Sequence, residues 1–364
     1  MTGPDQLPYW IVLSKVLGIG PARMRLLLAF FDTAQDAWNA PLDHLLMAGL
    51  DPKTAEALRT ARQNTNLDTE LEGLDKLGAK ALTWESEGYP KRLREVDDAP
   101  AVLYVLGELT EADDWAVGVV GTRRATSYGR EAANRLSSGL AESGVTIISG
   151  LARGIDTIAH KAALDAGGRT VAVLGSGLDV IYPYENQAIV NRIVSDGLGA
   201  VVTEYPLGTQ PDAMNFPPRN RIISGMSLGV LVIEAGEKSG ALITVTFALD
   251  QGRDVFAVPG PITSRMSDGT NNLLKQGAKC VTSARDILEE LQMDMVSEHI
   301  EAARSLPADP TERMLLDFLQ DSSQHIDELT GKSGLPASTV SAVLTMMELK
   351  GMVRHLGGMQ YSAR

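Results

Sequence analysis

The chain has 364 residues, 44% apolar and 22% charged, which at ~100–200 residues per domain allows two or three well-filled domains and excludes a largely disordered protein. No apolar run approaches the ~18 residues of a membrane span, the first residues lack the basic and apolar regions of an export signal, and a single cysteine, Cys280, excludes a disulfide framework or cysteine-rich zinc site; a cytoplasmic protein is expected. Thirty-three basic against 46 acidic side chains give a net charge of −13, which argues against coating nucleic acid through bulk positive charge.

The acidity is uneven. Residues 1–114 hold 11 Lys/Arg against 19 Asp/Glu, net −8, whereas 115–290 hold 16 against 17, net −1, together with 22 of the 35 glycines. Residues 1–78 read as short helices: an apolar-periodic run through Trp10, Ile11, Leu13, Val16 and Leu17, a Gly-Ile-Gly-Pro turn, a helix over 22–31, and a further turn over 48–52 before another helix. Leu17-Gly18-Ile19-Gly20-Pro21, followed by Arg23 and Arg25, resembles a helix–hairpin–helix element. Scarce local countercharge favours a plain helical packing module.

From Lys80 the pattern changes to strands alternating with helices, which defines a domain over 79–292. Strands are predicted at 116–120, 146–149, 170–174, 200–203, 229–233, 255–258 and 279–282. Helices are predicted near 127–143, 155–166, 185–196, 241–251, 270–276 and 284–291. Most strand segments are continuous apolar runs, as in strands buried on both faces, so the fold class is α/β: a doubly wound, mostly parallel sheet covered by helices on each side. Residues 293–308 lack a period and read as a linker. Three short helices (312–319, 326–330 and 338–350) and a Gly-Gly hairpin (352–361) then give a winged helix over 309–364.

In such a sheet, ligands bind where strands run into helices at their carboxyl ends. The segments there are Gly121-Thr122-Arg123-Arg124 after the first strand, and Ser149-Gly150 through Arg153-Gly154 after the second. They continue with Arg219-Asn220-Arg221 before the fifth and Lys238-Ser239-Gly240 after it. Glycines admit ligand to the backbone, hydroxyls donate to phosphate, and Arg clamps oxygens bidentately. One such loop is tight-turn chemistry. Several, each with a cation, supply donors for a chain of phosphates, and thus for single-stranded nucleic acid.

Neither G-x-G-x-x-G nor G-x-x-x-x-G-K-[ST] occurs, so no nucleotide cofactor is expected. Five scattered histidines offer no metal site. His160 reads as a structural histidine, Asp156 as a helix cap or Arg-positioning partner, and Cys280 as a buried small hydrophobe. Glu234, at a strand end, is the one candidate acid or base, but no nucleophile or second carboxylate pairs with it. No catalytic residue is assigned.

At these motifs the chain resembles the DNA-processing protein A family, DprA or Smf. The resemblance rests on Val120-Gly121-Thr122-Arg123, SGLARGID at 149–156, FPPRNRIISGMS at 216–227, KSGALIT at 238–244 and GRDVFAVPG at 252–260. It implies an extended Rossmann domain flanked by a helical, SAM-like N-terminal domain and a C-terminal winged helix, sequence-independent binding of single-stranded DNA, a homodimer, and loading of RecA onto incoming strands in natural transformation. Thr122 and Arg123 would take the family's phosphate contact, Arg219, Asn220 and Arg221 its basic run, and Lys238, Ser239 and Gly240 would complete the pocket. Phe216 is the nearest aromatic, so backbone contacts should outweigh stacking. Two other readings stay open. A phosphoribohydrolase-like nucleotide enzyme would show P-G-G-x-G-T-x-x-E, but Pro259-Gly260-Pro261-Ile262 lacks the second glycine and the acid. A transcription factor would act through the winged helix, whose recognition segment, 338–350, has one cation, Lys350.

Overall fold

Runs such as Ala116–Val120 and Gly229–Val232 have no polar face, so the strands they form must be covered on both sides. The computed structural model, which describes residues 6–292, 310–319, 323–349 and 353–363, builds them into a nine-stranded sheet with helices on each face. The expected linker, 293–308, lies outside the described residues, as do Lys350 and Met352. The chain divides into two compact units, Met1–Leu291 and Gln292–Arg364.

The first unit opens with six helices: α1 (Leu7–Lys15), α2 (Pro21–Phe30), α3 (Ala34–Asn39), α4 (Leu42–Met47), α5 (Pro52–Asn64) and α6 (Leu67–Leu77). It continues with β1 (Ala79–Thr83), α7 (Lys91–Arg94), β2 (Val102–Gly107), β3 (Ala116–Val120), α8 (Ser127–Glu142), β4 (Thr146–Ser149), α9 (Ile155–Asp165) and β5 (Thr170–Val173). There follow α10 (Gln187–Ser195), β6 (Gly199–Thr203), α11 (Phe216–Gly225), β7 (Gly229–Val232), α12 (Ala241–Asp250) and β8 (Asp254–Ala257). The unit closes with α13 (Asp268–Lys275), β9 (Lys279–Cys280) and α14 (Ala284–Glu290).

The strand order is β1-β2-β6-β5-β4-β3-β7-β8-β9. From β6 to β9 every neighbour is parallel, whereas β2 runs antiparallel to both β1 and β6. β1 and β2 are absent from the strands expected from sequence: β1 alternates buried with more exposed residues, and the highly charged stretch that holds α7 separates it from β2. Their pairing extends the parallel sheet at one edge and gives the helical segment a floor. Trp10 and Leu13 of α1 bury in one core with Tyr104 of β2 and Val201 of β6. Trp10 meets Trp84 edge-on, the ring centroids 5.7 Å apart.

At the opposite edge β9 is only two residues long, and Cys280 on it is exposed. The expectation of a buried cysteine is corrected: a short edge strand has no neighbour to cover it. Arg23, in the hairpin-like element, donates to the Gly18 carbonyl (2.6 Å) and pairs with Asp51 (2.7 Å), which agrees with a packing role there.

The second unit contains α15 (Pro310–Leu319), β10 (Gln324–His325), α16 (Ile326–Ser333), α17 (Ala337–Leu349), β11 (Val353–Gly357) and β12 (Gln360–Ala363). Leu315, Leu329, Val340, Leu344 and Tyr361 form its separate core. Three helices and a three-stranded wing of order β10-β12-β11 are the winged-helix arrangement.

Candidate nucleic-acid interface

The chain leaves β3 for β4, β5 and β6 on one side and returns to β7 on the other. The loops after β3 and β7 therefore part at their carboxyl ends, which opens the crevice where doubly wound sheets hold ligands. A trough of about 700 Å³ lies at this point. Arg123 walls it after β3, Asp156 on α9, Phe216, Arg219 and Asn220 on α11, and Ser239 and Gly240 before α12.

Phe216 is the hub of the wall. The Arg123 guanidinium carbon lies 5.3 Å from its ring centre and that of Arg219 5.9 Å, both within cation–π range, and the Tyr182 ring is 6.0 Å away. The two arginines differ in freedom. Arg123 is exposed. Arg219 is 4% exposed; its Nη1 donates to the carbonyls of Gly150 (2.5 Å) and Val173, and its Nε to Asn220 Oδ1 (3.2 Å). Burial lowers its pKa to about 10, a shift that the Asp156 carboxylate opposes, so Arg219 stays cationic at neutral pH. Asp156 is buried in turn. Loss of hydration raises its pKa to about 6 against the pull of Arg219 and of the Ala152 and Gly150 amides.

Other residues singled out in the sequence stand behind or beside the trough. Arg221 is buried in a bidentate pair with Glu204 (2.8 and 2.7 Å) and a second pair with Asp98 (3.2 Å), so it ties α11 to neighbouring loops. Ser149 donates to the Val119 carbonyl at 2.6 Å and joins β4 to β3. Thr122 is buried, with its amide on the Glu234 carbonyl (2.7 Å) and its Oγ1 accepting from the Arg124 amide (3.1 Å). Gly154 caps α9 at φ +80°, where a Cβ would fall 2.3 Å from the Thr122 carbonyl oxygen. Arg124, Arg153 and Lys238 are exposed. His160, neutral because burial lowers its pKa to about 3, holds Thr170 Oγ1 at 2.7 Å.

Residues 80–292 match the family model described as DNA recombination-mediator protein A, and 300–359 that of the DprA winged helix domain. The chain belongs to the DNA recombination-mediator protein A family. It is 38% identical to Protein Smf of Escherichia coli K12 over 332 residues, 88% of each chain. Over 204 residues it is 47% identical to DNA processing protein DprA of Streptococcus pneumoniae R6, covering 56% of this chain and 71% of that one. The X-ray structure of S. pneumoniae DprA matches with a TM-score of 0.68 at 37% identity, over 78% of this chain and 97% of that chain. DNA processing protein A from Helicobacter pylori, solved for its single-stranded DNA binding mode, matches at 0.53 and 31% identity, over 59% and 96%.

Around the trough of this DprA-family protein, its own carboxylates already serve two of the helix N-termini. At α8, Glu234 accepts from the Thr126 amide (2.9 Å) and hydroxyl (2.7 Å), so the carboxylate that looked like a lone acid or base is a helix anchor. Near α9, Asp156 accepts from the Ala152 amide at 3.3 Å. At α12, Gly240 supplies no side-chain cap; Ser239 Oγ accepts from the Ala241 amide (3.3 Å), and the Ser239 and Gly240 carbonyls accept from the Leu242 (3.0 Å) and Ile243 (3.2 Å) amides. Among the described residues no carboxylate accepts from the first-turn amides of α12, which leaves that helix dipole to an anion in the trough. Tyr182 is the wall residue that the sequence reading missed; the signal was two tyrosines flanking Pro183 in a turn, where an apolar ring has no core to fill.

Proposed function

We propose that the trough binds single-stranded DNA without sequence preference and that the protein acts as a recombination mediator. The observation that carries this reading is the pairing of the unburied Arg123 cation with the Phe216 ring, beside the N-terminus of α12, along one trough in a molecule otherwise acidic. Cation and terminus suit successive phosphates, and the ring suits a base face. The H. pylori relative, whose structure describes a single-stranded DNA binding mode, supports the same ligand class. We read the trough as a binding site rather than a catalytic one, since Glu234 is committed to Thr126. Loading of RecA in natural transformation, assembly as a homodimer and a cytoplasmic location are proposed with it, on the family resemblance. Among the described residues no helix is long and apolar enough to cross a membrane.

A salt titration of the full chain against single-stranded and duplex oligonucleotides, with the molar mass of the free protein measured alongside, tests this. The reading expects single strands of any sequence to be preferred, with log K falling linearly in log salt at about 0.7 per phosphate engaged. Absent single-strand binding, or preference for a particular duplex sequence, overturns it.

A further inference from the structure

Beside the trough, Arg153 lines a small recess that it shares with Arg123, Tyr182 and Phe216. Its guanidinium is already occupied. Glu185, in the 3-10 turn Tyr184–Asn186, takes it in a fork: Nε to Oε1 at 2.5 Å and Nη2 to Oε2 at 2.9 Å. The fork is the arrangement in which Arg grips a phosphate, so the carboxylate stands where a phosphate's two oxygens would. Both side chains are more than half exposed, at 57% and 56%. An ion pair so wet is weak and opens by side-chain rotation alone. Arg221 makes a similar fork with Glu204, but there the cation is 7% exposed and the pair is fixed. The two pairs thus separate by burial into one that builds the fold and one that can be exchanged.

We propose that Glu185 is a built-in competitor that holds Arg153 until a strand phosphate displaces it, which makes Arg153 a conditional extension of the phosphate track beyond the trough. The inference rests on the reading of the trough as a single-strand site. It explains how an acidic protein keeps an exposed guanidinium at its groove without trapping stray anions: a lone small anion gains one fork and loses one, whereas a strand already seated on Arg123 delivers its next phosphate at high local concentration.

The test is a double-mutant cycle on the full chain, with anisotropy of a mixed-sequence single-stranded oligonucleotide read across a range of salt. Glu185→Gln is expected to tighten binding about two- to fivefold at low salt, the factor that an exposed ion pair of ordinary strength represents, with the gain fading as salt rises. Arg153→Ala is expected to cost more in the Glu185→Gln background than in the wild type, because only there is the guanidinium free beforehand. If Glu185→Gln leaves affinity unchanged, or gives the same gain with Arg153 removed, the competitor role is overturned and the trough reading stands. A wild-type chain that binds no strand overturns both.

Discussion

Arg219 passes beneath Gly150, its Nη1 2.5 Å from the glycine's carbonyl oxygen, through space that a Cβ at Gly150 would occupy to within 2.6 Å of the guanidinium. A cation is thereby buried under a backbone loop at the head of the trough. Gly150→Ala is expected to push Arg219 off both carbonyl acceptors. The loss of charge-assisted bonds in a dry site should lower stability by about 2–3 kcal/mol in chemical denaturation and weaken strand binding with it. An alanine variant with the wild-type midpoint and affinity would show that the guanidinium has another seat.

Arg123 and Arg221 both belong to cationic motifs at the same sheet edge, yet the fold gives them separate tasks. Arg123→Ala should leave the melting temperature unchanged, weaken binding to every oligonucleotide sequence alike, and flatten the salt slope by about 0.7, the share of a single phosphate. Arg221→Ala leaves the partly buried Glu204 without its cation and is expected to cost about 3 kcal/mol of stability. Thermal melts and salt titrations of both variants separate the roles; a destabilised Arg123→Ala, or an Arg221→Ala as stable as the wild type, would reverse the assignment.

The contrast shows what was legible in the sequence. Strands β3 to β8 and the carboxyl-edge loops were readable because continuous apolar runs ending in Gly-rich turns have few other solutions. The depth of each arginine was not. Phe216–Gly225 reads as a cationic loop, but the Pro-Pro pair at its start pre-sets a helix, and helical spacing turns Arg219 and Arg221 into the fold. Their partners, Gly150, Val173, Glu204 and Asp98, come from four separate stretches of chain, and only the tertiary fold supplies that proximity. Strands β1 and β2 were hidden for the same reason: an antiparallel edge pair is specified by what packs on it.

Two buried titratable groups near Arg219 give opposite pH signatures. Asp156 rises from 3.8 in the unfolded chain to about 6 in the fold, so its contribution is complete below pH 3.8 and is lost as pH climbs through about 6, a change of about 3 kcal/mol. His160 falls from 6.5 to about 3, so its contribution is present above pH 6.5 and is lost as pH drops toward 3. Between about pH 4 and 6 the slopes oppose each other. Asp156→Asn removes one of them. The stability of the variant relative to wild type should therefore rise as pH goes from 4 to 6 and stay level above that, as read by denaturant unfolding at each pH. Parallel pH profiles would mean that Asp156 is ionised throughout.

The winged helix has little with which to hold a polyanion. Among its described residues α17 carries Glu348 and no Lys or Arg, and the wing offers Arg354 on β11. The other described cations of the unit, Arg313 on α15 and Lys332 on α16, lie off the recognition helix and wing, and Lys332 is bonded to Gln324 (2.8 Å), so helix and wing bring one cation, too few to add a strong phosphate site. The first unit has its own cores and the whole trough. A chain ended at Gln292 should therefore bind single strands within about twofold of the full-length affinity and with the same salt slope. If truncation instead lowers affinity tenfold and makes the slope shallower, phosphate contacts reside in the terminal unit, and the trough alone does not account for the strand.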